Sequence, residues 1–417
     1  AIASIERQRA DVGLDSLKPW IVDHVWRRPF DDLFVTYVEQ GRLRDAFGVV
    51  QRATARSLLD GLVEASARAS NGTHVDLART GDRLAGLKAV ARSVRASAAA
   101  NPPQTSELLP ALGGRHVLTY FSARDQLWLA ITTSNGEVTI LSLGDSDELA
   151  KLAAKTLEVP DDGKLGKRLV PATALPAAGV PIYVALDQSM HHVAFSALRV
   201  GDDYLVKRHP IALIPNAAVL ARLVALPRRT GRRIVLGDPA GDLAGAKREA
   251  VEVATSLGVE ANLGTRATRA SVLSAGSLQV LHVASHARMT ELGPVLVLAD
   301  GDLPGGEIID RGIAADVVIL TSCASADPLD RDELGPLAAA FLAAGSRTVV
   351  ASRWSVDDAL AREFARLFYR ANGVNDPIRA TATAQTTLIE RGVPASRWAS
   401  FVVLGAGAAT TSKGARP

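Results

Sequence analysis

Two polar residues each close a short apolar run. Val280-Leu-His-Val-Ala-Ser-His286 ends in an imidazole, and Val317-Val-Ile-Leu-Thr-Ser-Cys323 ends in the chain's single thiol, 37 residues further on. Runs of this length, rich in Val, Ile and Leu, read as buried strands. In an open parallel sheet, reactive groups gather beyond the carboxyl ends of the strands, where the loops diverge into a crevice. If the two strands are neighbours, the imidazole and the thiol meet. A thiol with an ordinary pKa of about 8.5 is mostly protonated at neutral pH, and a positioned imidazole takes the proton to leave a thiolate nucleophile. The chemistry of such a pair is acyl transfer. Each residue alone has a plainer reading, since a lone cysteine is usually a small buried hydrophobe. Their matched positions at two strand ends favour the pair.

Other motifs carry less. His282 and His286 have the spacing of a zinc-protease pair, but HVASH lacks the glutamate. It also sits in a strand-like run, where residues four apart lie about 13 Å from each other, too far for one metal. GDPAGDLAGAKRE follows a strand and opens a helix, yet its glycines and lysine are out of register for a phosphate-binding loop, and Asp238-Pro239 reads as a turn. His191-His192 falls in a loop with no carboxylate pattern around it. No metal site and no cofactor are expected.

The elements that must position His286 and Cys323 begin at Gly231, where strands and helices alternate as in a mostly parallel sheet covered on both faces. Strands are predicted at Arg233–Gly237, Val259–Leu263, Leu278–Ser285, Val317–Ser322, Thr348–Ser352 and Ser400–Leu404, with helices at Asp242–Ser256, Thr268–Ala275, Leu334–Ala344, Asp358–Arg370 and Pro377–Arg391. Pro294–Asp310 reads as hairpin-rich. Upstream, His116–Phe121, Gln126–Thr132 and Glu137–Leu141 read as an antiparallel meander, followed by strands at Ile182–Leu186 and Tyr204–Lys207 and a helix from Asn216.

The first hundred residues read as helices. Phe34, Tyr37, Val38, Leu43, Phe47, Val50, Leu58, Leu59 and Leu62 recur at helical steps around a Gln40-Gly41 turn. This hairpin resembles the last unit of a tetratricopeptide array, with the small Ala46 after the turn. A helical cap on the next domain is an equal reading.

The chain has 417 residues, 47% hydrophobic and 22% charged, with a net charge of +3. That composition is globular, and no basic tract interleaved with aromatics points to nucleic acid. No apolar run approaches the roughly 18 residues of a membrane span. The chain begins AIASIERQRA, without an initiating Met or a secretory signal pattern, and its lone cysteine excludes an intramolecular disulfide. A cytoplasmic location is expected, with no membrane partner.

From about Leu109 onward, and most sharply through LHVASH, TSCASA, LGPLAAAFLAAGSRTVVASRWSVDDALAREFARLFY and WASFVVLG, the sequence resembles the CHAT family of caspase-like proteins. Relatives in that clan include separase and the metacaspases, and CHAT domains are commonly fused to tetratricopeptide repeats. DQSMHHVAFSALRVGDDYLVKRHPIALIPNA and GDPAGDLAGAKREA also belong to the resemblance. It implies that His286 is the general base and Cys323 the nucleophile, with the backbone N–H groups of Ala287 and Cys323 as the oxyanion hole. The family usually has Gly after the histidine, and this chain has Ala287; the Glu frequent after the cysteine is Ala324 here. Arg353-Trp-Ser-Val-Asp-Asp358 resembles the separase pattern of a Trp followed by an acid that pairs with a substrate arginine. Trp354, Asp358 and, less directly, Asp357 are therefore candidate substrate-binding residues, the alternative being a helix N-cap. Asp327, Asp330, Asp332 and Glu333 would either add negative potential over the cleft or form a solvated loop.

The expected fold is α/β: a caspase-like, mostly parallel sheet flanked by helices, preceded by a β-rich pseudo-caspase half and a helical region. The boundaries are a helical region over 1–100, a β-rich half over 101–230, a catalytic core over 231–409 and a disordered tail over 410–417. The expected function is cysteine endopeptidase activity on a protein partner through a thioester acyl-enzyme, cutting after a basic residue. Control by an upstream sensor or repeat-domain partner, in the manner of bacterial regulated proteolysis, completes that reading. The rivals are an inactive scaffold of the same fold and a small-molecule hydrolase or acyltransferase using the same dyad.

Overall fold

Apolar spacing in the N-terminal hairpin produces two helices, α1 (Arg27–Glu39) and α2 (Leu43–Ala53), joined where Gly41 takes φ +70°. The computed structural model describes residues 27–54, 104–154, 163–274, 276–290, 293–321 and 335–407. The apolar stripe of the hairpin is buried against a sheet. Phe34 is fully buried, with its ring centroid 5.0 Å from Phe121 in β1 (His116–Ala123) and 5.6 Å from Trp128 in β2 (Gln126–Thr132). Ala46 is fully buried beside them. Leu58, Leu59 and Leu62 lie outside the described residues.

The remaining strands of this half are β3 (Val138–Asp145), β4 (Ile182–Ala185) and β5 (Ile211–Ile214), after which α3 (Ala217–Ala225) begins. Gln51 near the end of α2 caps α3: its Oε1 accepts the N–H groups of Ala217 and Ala218 at 2.8 and 3.3 Å. The hairpin is thus bonded to the sheet layer as well as packed on it. Tyr204–Lys207, expected as a strand, is extended only at Tyr204, in the two-residue strand Asp203–Tyr204, and Leu205–Arg208 form a helical turn. The buried strand is instead Ile211–Ile214, four apolar residues between Pro210 and Pro215.

The core half alternates as the sequence predicts. In order it has β6 (Arg232–Gly237), α4 (Ala244–Leu257), β7 (Ala261–Leu263), β8 (Leu278–Ala284), β9 (Ala287–Thr290), β10 (Gly293–Leu296), β11 (Leu303–Pro304) and β12 (Ala315–Leu320). Then come α5 (Pro336–Ala343), β13 (Thr348–Ser352), α6 (Asp358–Arg370), α7 (Pro377–Glu390) and β14 (Phe401–Gly405). Every residue of β12 and β13 is buried, as strands covered by helices on both faces must be. β9, β10 and β11 form a separate three-stranded antiparallel sheet.

Both halves contribute to one eleven-stranded, mostly parallel sheet, ordered β3-β2-β1-β4-β5-β14-β13-β12-β8-β6-β7. β14, last in the chain, lies between the halves, parallel to β5 and antiparallel to β13. β6, β8, β12 and β13 run parallel, so their carboxyl ends share one edge. Among the described residues, no helix is long and apolar enough to cross a membrane.

Candidate active site

The shared edge collects the loops that follow β6, β8, β12 and β13. β8 and β12 are hydrogen-bonded neighbours, and their pairing keeps one offset of 37 residues from Leu278 with Ala315 to Val283 with Leu320. The Thr321 N–H continues the ladder to the Val283 carbonyl at 3.2 Å. The same offset separates His286 from Cys323 in the chain. Cys323 and the acidic stretch after it, within 322–334, lie outside the described residues.

His286 sits between β8 and β9, held by its backbone. The Val297 N–H donates to the His286 carbonyl at 3.0 Å, and the buried Ser285 hydroxyl donates to the Val297 carbonyl at 2.6 Å. The imidazole is partly exposed, and its Nε2 lies 3.1 and 3.2 Å from the two carboxylate oxygens of Asp242. A carboxylate oxygen accepts, so in a neutral imidazole this contact favours the tautomer with the proton on Nε2 and Nδ1 as acceptor.

Asp242 is presented by the loop after β6, and that loop is built tightly. Asp238 adopts φ +50° and is buried; its N–H donates to the Ala284 carbonyl at 3.0 Å, and its Oδ1 accepts from Leu243 N at 2.8 Å. The first bond fastens the loop to the end of β8, two residues before His286, and the second closes the loop on itself.

Ala287 pairs with Leu296 in the small antiparallel sheet. Ala287 is not among the described non-glycine residues with positive φ, so a side chain here carries no backbone strain.

The segment after β13 supplies Trp354, Asp357 and Asp358. Arg353 is buried and donates to the Val193 carbonyl at 2.7 Å; the Trp354 indole N–H donates to the Ser396 carbonyl at 2.7 Å. Asp357 is the N-cap of α6: its side chain accepts from Leu360 N at 3.0 Å and pairs with Arg397. Burial pushes its carboxyl up, but the Leu360 N–H and the Arg397 charge outweigh that and hold it below the usual carboxylate range. Asp358 is exposed and accepts from Gly245 N at 3.2 Å, across to the start of α4. A Cβ on Gly245 would stand 2.2 Å from the Asp358 Cβ, so only glycine permits this approach.

A family model for the CHAT domain matches residues 160–406. The chain belongs to the CHAT domain family. Two crystal structures of the Saccharomyces cerevisiae separase–securin complex share its fold, with TM-scores of 0.54 and 0.53 at 12% identity. In each, the match covers 88% of this chain and 34% of the other, so the chain spans about a third of the protein it resembles. A search of curated proteins finds no match in sequence.

Behind the rim of this CHAT domain lies a second histidine–carboxylate pair. His282 on β8 is fully buried, with Nε2 3.1 Å from Oε1 of the buried Glu249 on α4 and Nδ1 3.2 Å from the Tyr369 hydroxyl on α6. Burial, reinforced by the Glu249 carboxylate, pushes the Tyr369 hydroxyl well above its ordinary value. His282 and His286 engage different acids, and no group of three His, Cys, Asp or Glu among the described residues could hold a metal ion. His191 is buried, two residues before the Val193 carbonyl that Arg353 bonds, and desolvation lowers its pKa to about 4.

Sequence reasoning missed Asp242. GDPAGD reads as a turn between strand and helix, and the available signal was its place after a parallel strand, at the edge where His286 was expected.

Proposed function

We propose that this CHAT domain is a cysteine endopeptidase of the caspase-like clan, with His286 and Cys323 as its dyad. The observation that carries the reading is the β8–β12 register: the offset that pairs the strands is the spacing between the two residues. His286 Nδ1 takes the Cys323 Sγ proton, and the thiolate attacks the carbonyl carbon of the scissile peptide. The oxyanion is received by the backbone N–H groups of Ala287 and Cys323. The tetrahedral intermediate collapses to a thioester as the C–N bond breaks and His286 protonates the departing amine. Water, deprotonated by His286, then hydrolyses the thioester and restores the thiol.

The exposed acids after β13 favour a basic side chain immediately before the cut. Asp358, with one oxygen on Gly245, is the acid proposed to meet it, beside Trp354, because Asp357 is engaged by Arg397 and by the helix terminus. The natural substrate is a protein, and an upstream partner acting through the N-terminal region would control access.

New N-termini in a lysate treated with wild type, compared with Cys323→Ala, test the reading. Cleavages that depend on Cys323 and follow Arg or Lys are expected. No Cys323-dependent cleavage, with iodoacetamide labelling no faster than for an ordinary thiol, would leave an interaction scaffold of the same fold.

A further inference from the structure

The Asp242–His286 contact assigns a third member to this site. We propose that Asp242 is a positioning residue, holding the His286 ring through Nε2 so that Nδ1 stays the acceptor. The inference rests on the endopeptidase reading, which requires His286 to act as base, and adds a residue that neither the motif nor the family resemblance supplies.

Observations on described residues carry it. Both Asp242 oxygens lie within 3.2 Å of the same ring nitrogen, and His286 has no other side-chain partner among the described residues. The loop presenting Asp242 is fastened to the end of β8 by Asp238 N to Ala284 and closed on itself by Leu243 N to Asp238 Oδ1. Asp238 holds a left-handed φ of +50° there, with its own side chain closing the turn onto Leu243 N. Asp242 itself is 61% exposed, so its carboxylate serves no packing role. The neighbouring charges are occupied elsewhere: Arg288 pairs with Asp302 at 2.5 Å, and Asp358 bonds Gly245 N.

The single cysteine gives a direct measurement, because iodoacetamide can label only Cys323. Alkylation rates at neutral pH are compared for wild type, Asp242→Ala, Asp242→Asn and His286→Ala, with 15N spectra reporting the His286 tautomer. Asp242→Ala is expected to alkylate roughly tenfold more slowly than wild type, approaching His286→Ala. Its His286 signals should shift from Nε2–H to a mixture, with an unchanged melting temperature. Asp242→Asn keeps an acceptor oxygen in place and is expected to fall between. A slow His286→Ala beside an Asp242→Ala that matches wild type in rate and tautomer would overturn the Asp242 role while the dyad stands. A His286→Ala as fast as wild type would overturn the dyad, and the positioning role with it.

Discussion

His282 on β8 and His286 just past its end lie four residues apart, each facing a carboxylate, and the two pairs differ in their exposure. At the rim, His286 and Asp242 are 40% and 61% exposed; in the interior, His282 and Glu249 are 0% and 2% exposed. The rim pair makes near-equal contacts to both carboxylate oxygens in a place that solvent reaches. The inner pair lies between β8 and α4 and, through Tyr369, reaches α6, and the first turns of these two helices carry the Gly245–Asp358 contact. The chemical groups are alike, and water decides the difference. Exposed, a histidine–carboxylate pair contributes little to stability and remains open to reaction; buried, His282 and Glu249 lie 3.1 Å apart without a hydrogen bond between them, so burial rather than bonding holds them in place.

The sharpest way to break this comparison is to remove the carboxylate from each pair in turn. Glu249→Ala is expected to cost about 2–3 kcal/mol of unfolding free energy, because it opens a cavity beside the fully buried His282 ring, 3.1 Å from Glu249 Oε1 but not hydrogen-bonded to it. Asp242→Ala should stay within about 0.5 kcal/mol of wild type, as exposed substitutions do. Denaturant midpoints at constant m-value measure both. Equal losses would show that the rim and interior pairs are energetically the same. Replacing Glu249 and His282 together by Leu should recover most of the loss, since apolar substitutes carry no desolvation cost.

A third histidine sharpens the comparison through pH. His191 is buried, and desolvation lowers its pKa from 6.5 to about 4 despite the opposing pull of Asp187. The unfolded chain binds this proton more readily than the folded one between those values. The stabilisation is therefore fully present above pH about 6.5 and is lost as pH falls toward 4, amounting to about 3 kcal/mol. Burial lowers His116 and His209 as well, so they add to the same acid limb. His191→Gln should flatten, without abolishing, the fall in stability over that window in melts taken at successive pH values. An unchanged slope would show that His191 is solvated in the folded chain.

What the sequence made legible follows from the same physics. LHVASH and VVILTSC were readable as adjacent buried strands because a covered parallel strand is almost uniformly apolar, and the chemistry-bearing residues stand where that run stops. Asp242 was not readable: an acid among glycines and a proline has the composition of any turn, and its partner is 44 residues away. Ile211–Ile214 was missed because four apolar residues between two prolines show no period, whereas Tyr204–Lys207 has an apolar Leu-Val that serves a single helical turn equally well. The place of β14 between the halves comes from long-range pairing, which no local pattern records.

The smallest effect separates the two acids that the sequence left as alternatives. Asp357 has the contacts of a helix cap, a bond to Leu360 N and a pair with Arg397, so Asp357→Ala should cost about 1 kcal/mol and leave peptide preference alone. Asp358 is exposed at the first helical position, with one oxygen across to Gly245. Its replacement by Ala should cost less in stability and lower the ratio of kcat/KM for Arg over Ala before the cut, because the lost interaction is a charge-assisted bond to substrate. Paired peptides and denaturant midpoints on both variants give all four values. If Asp357→Ala lowers the ratio and Asp358→Ala does not, the substrate side chain displaces Arg397 from Asp357. Specificity would then reside in the helix cap itself, and Asp358 would serve only to draw the starts of α4 and α6 together.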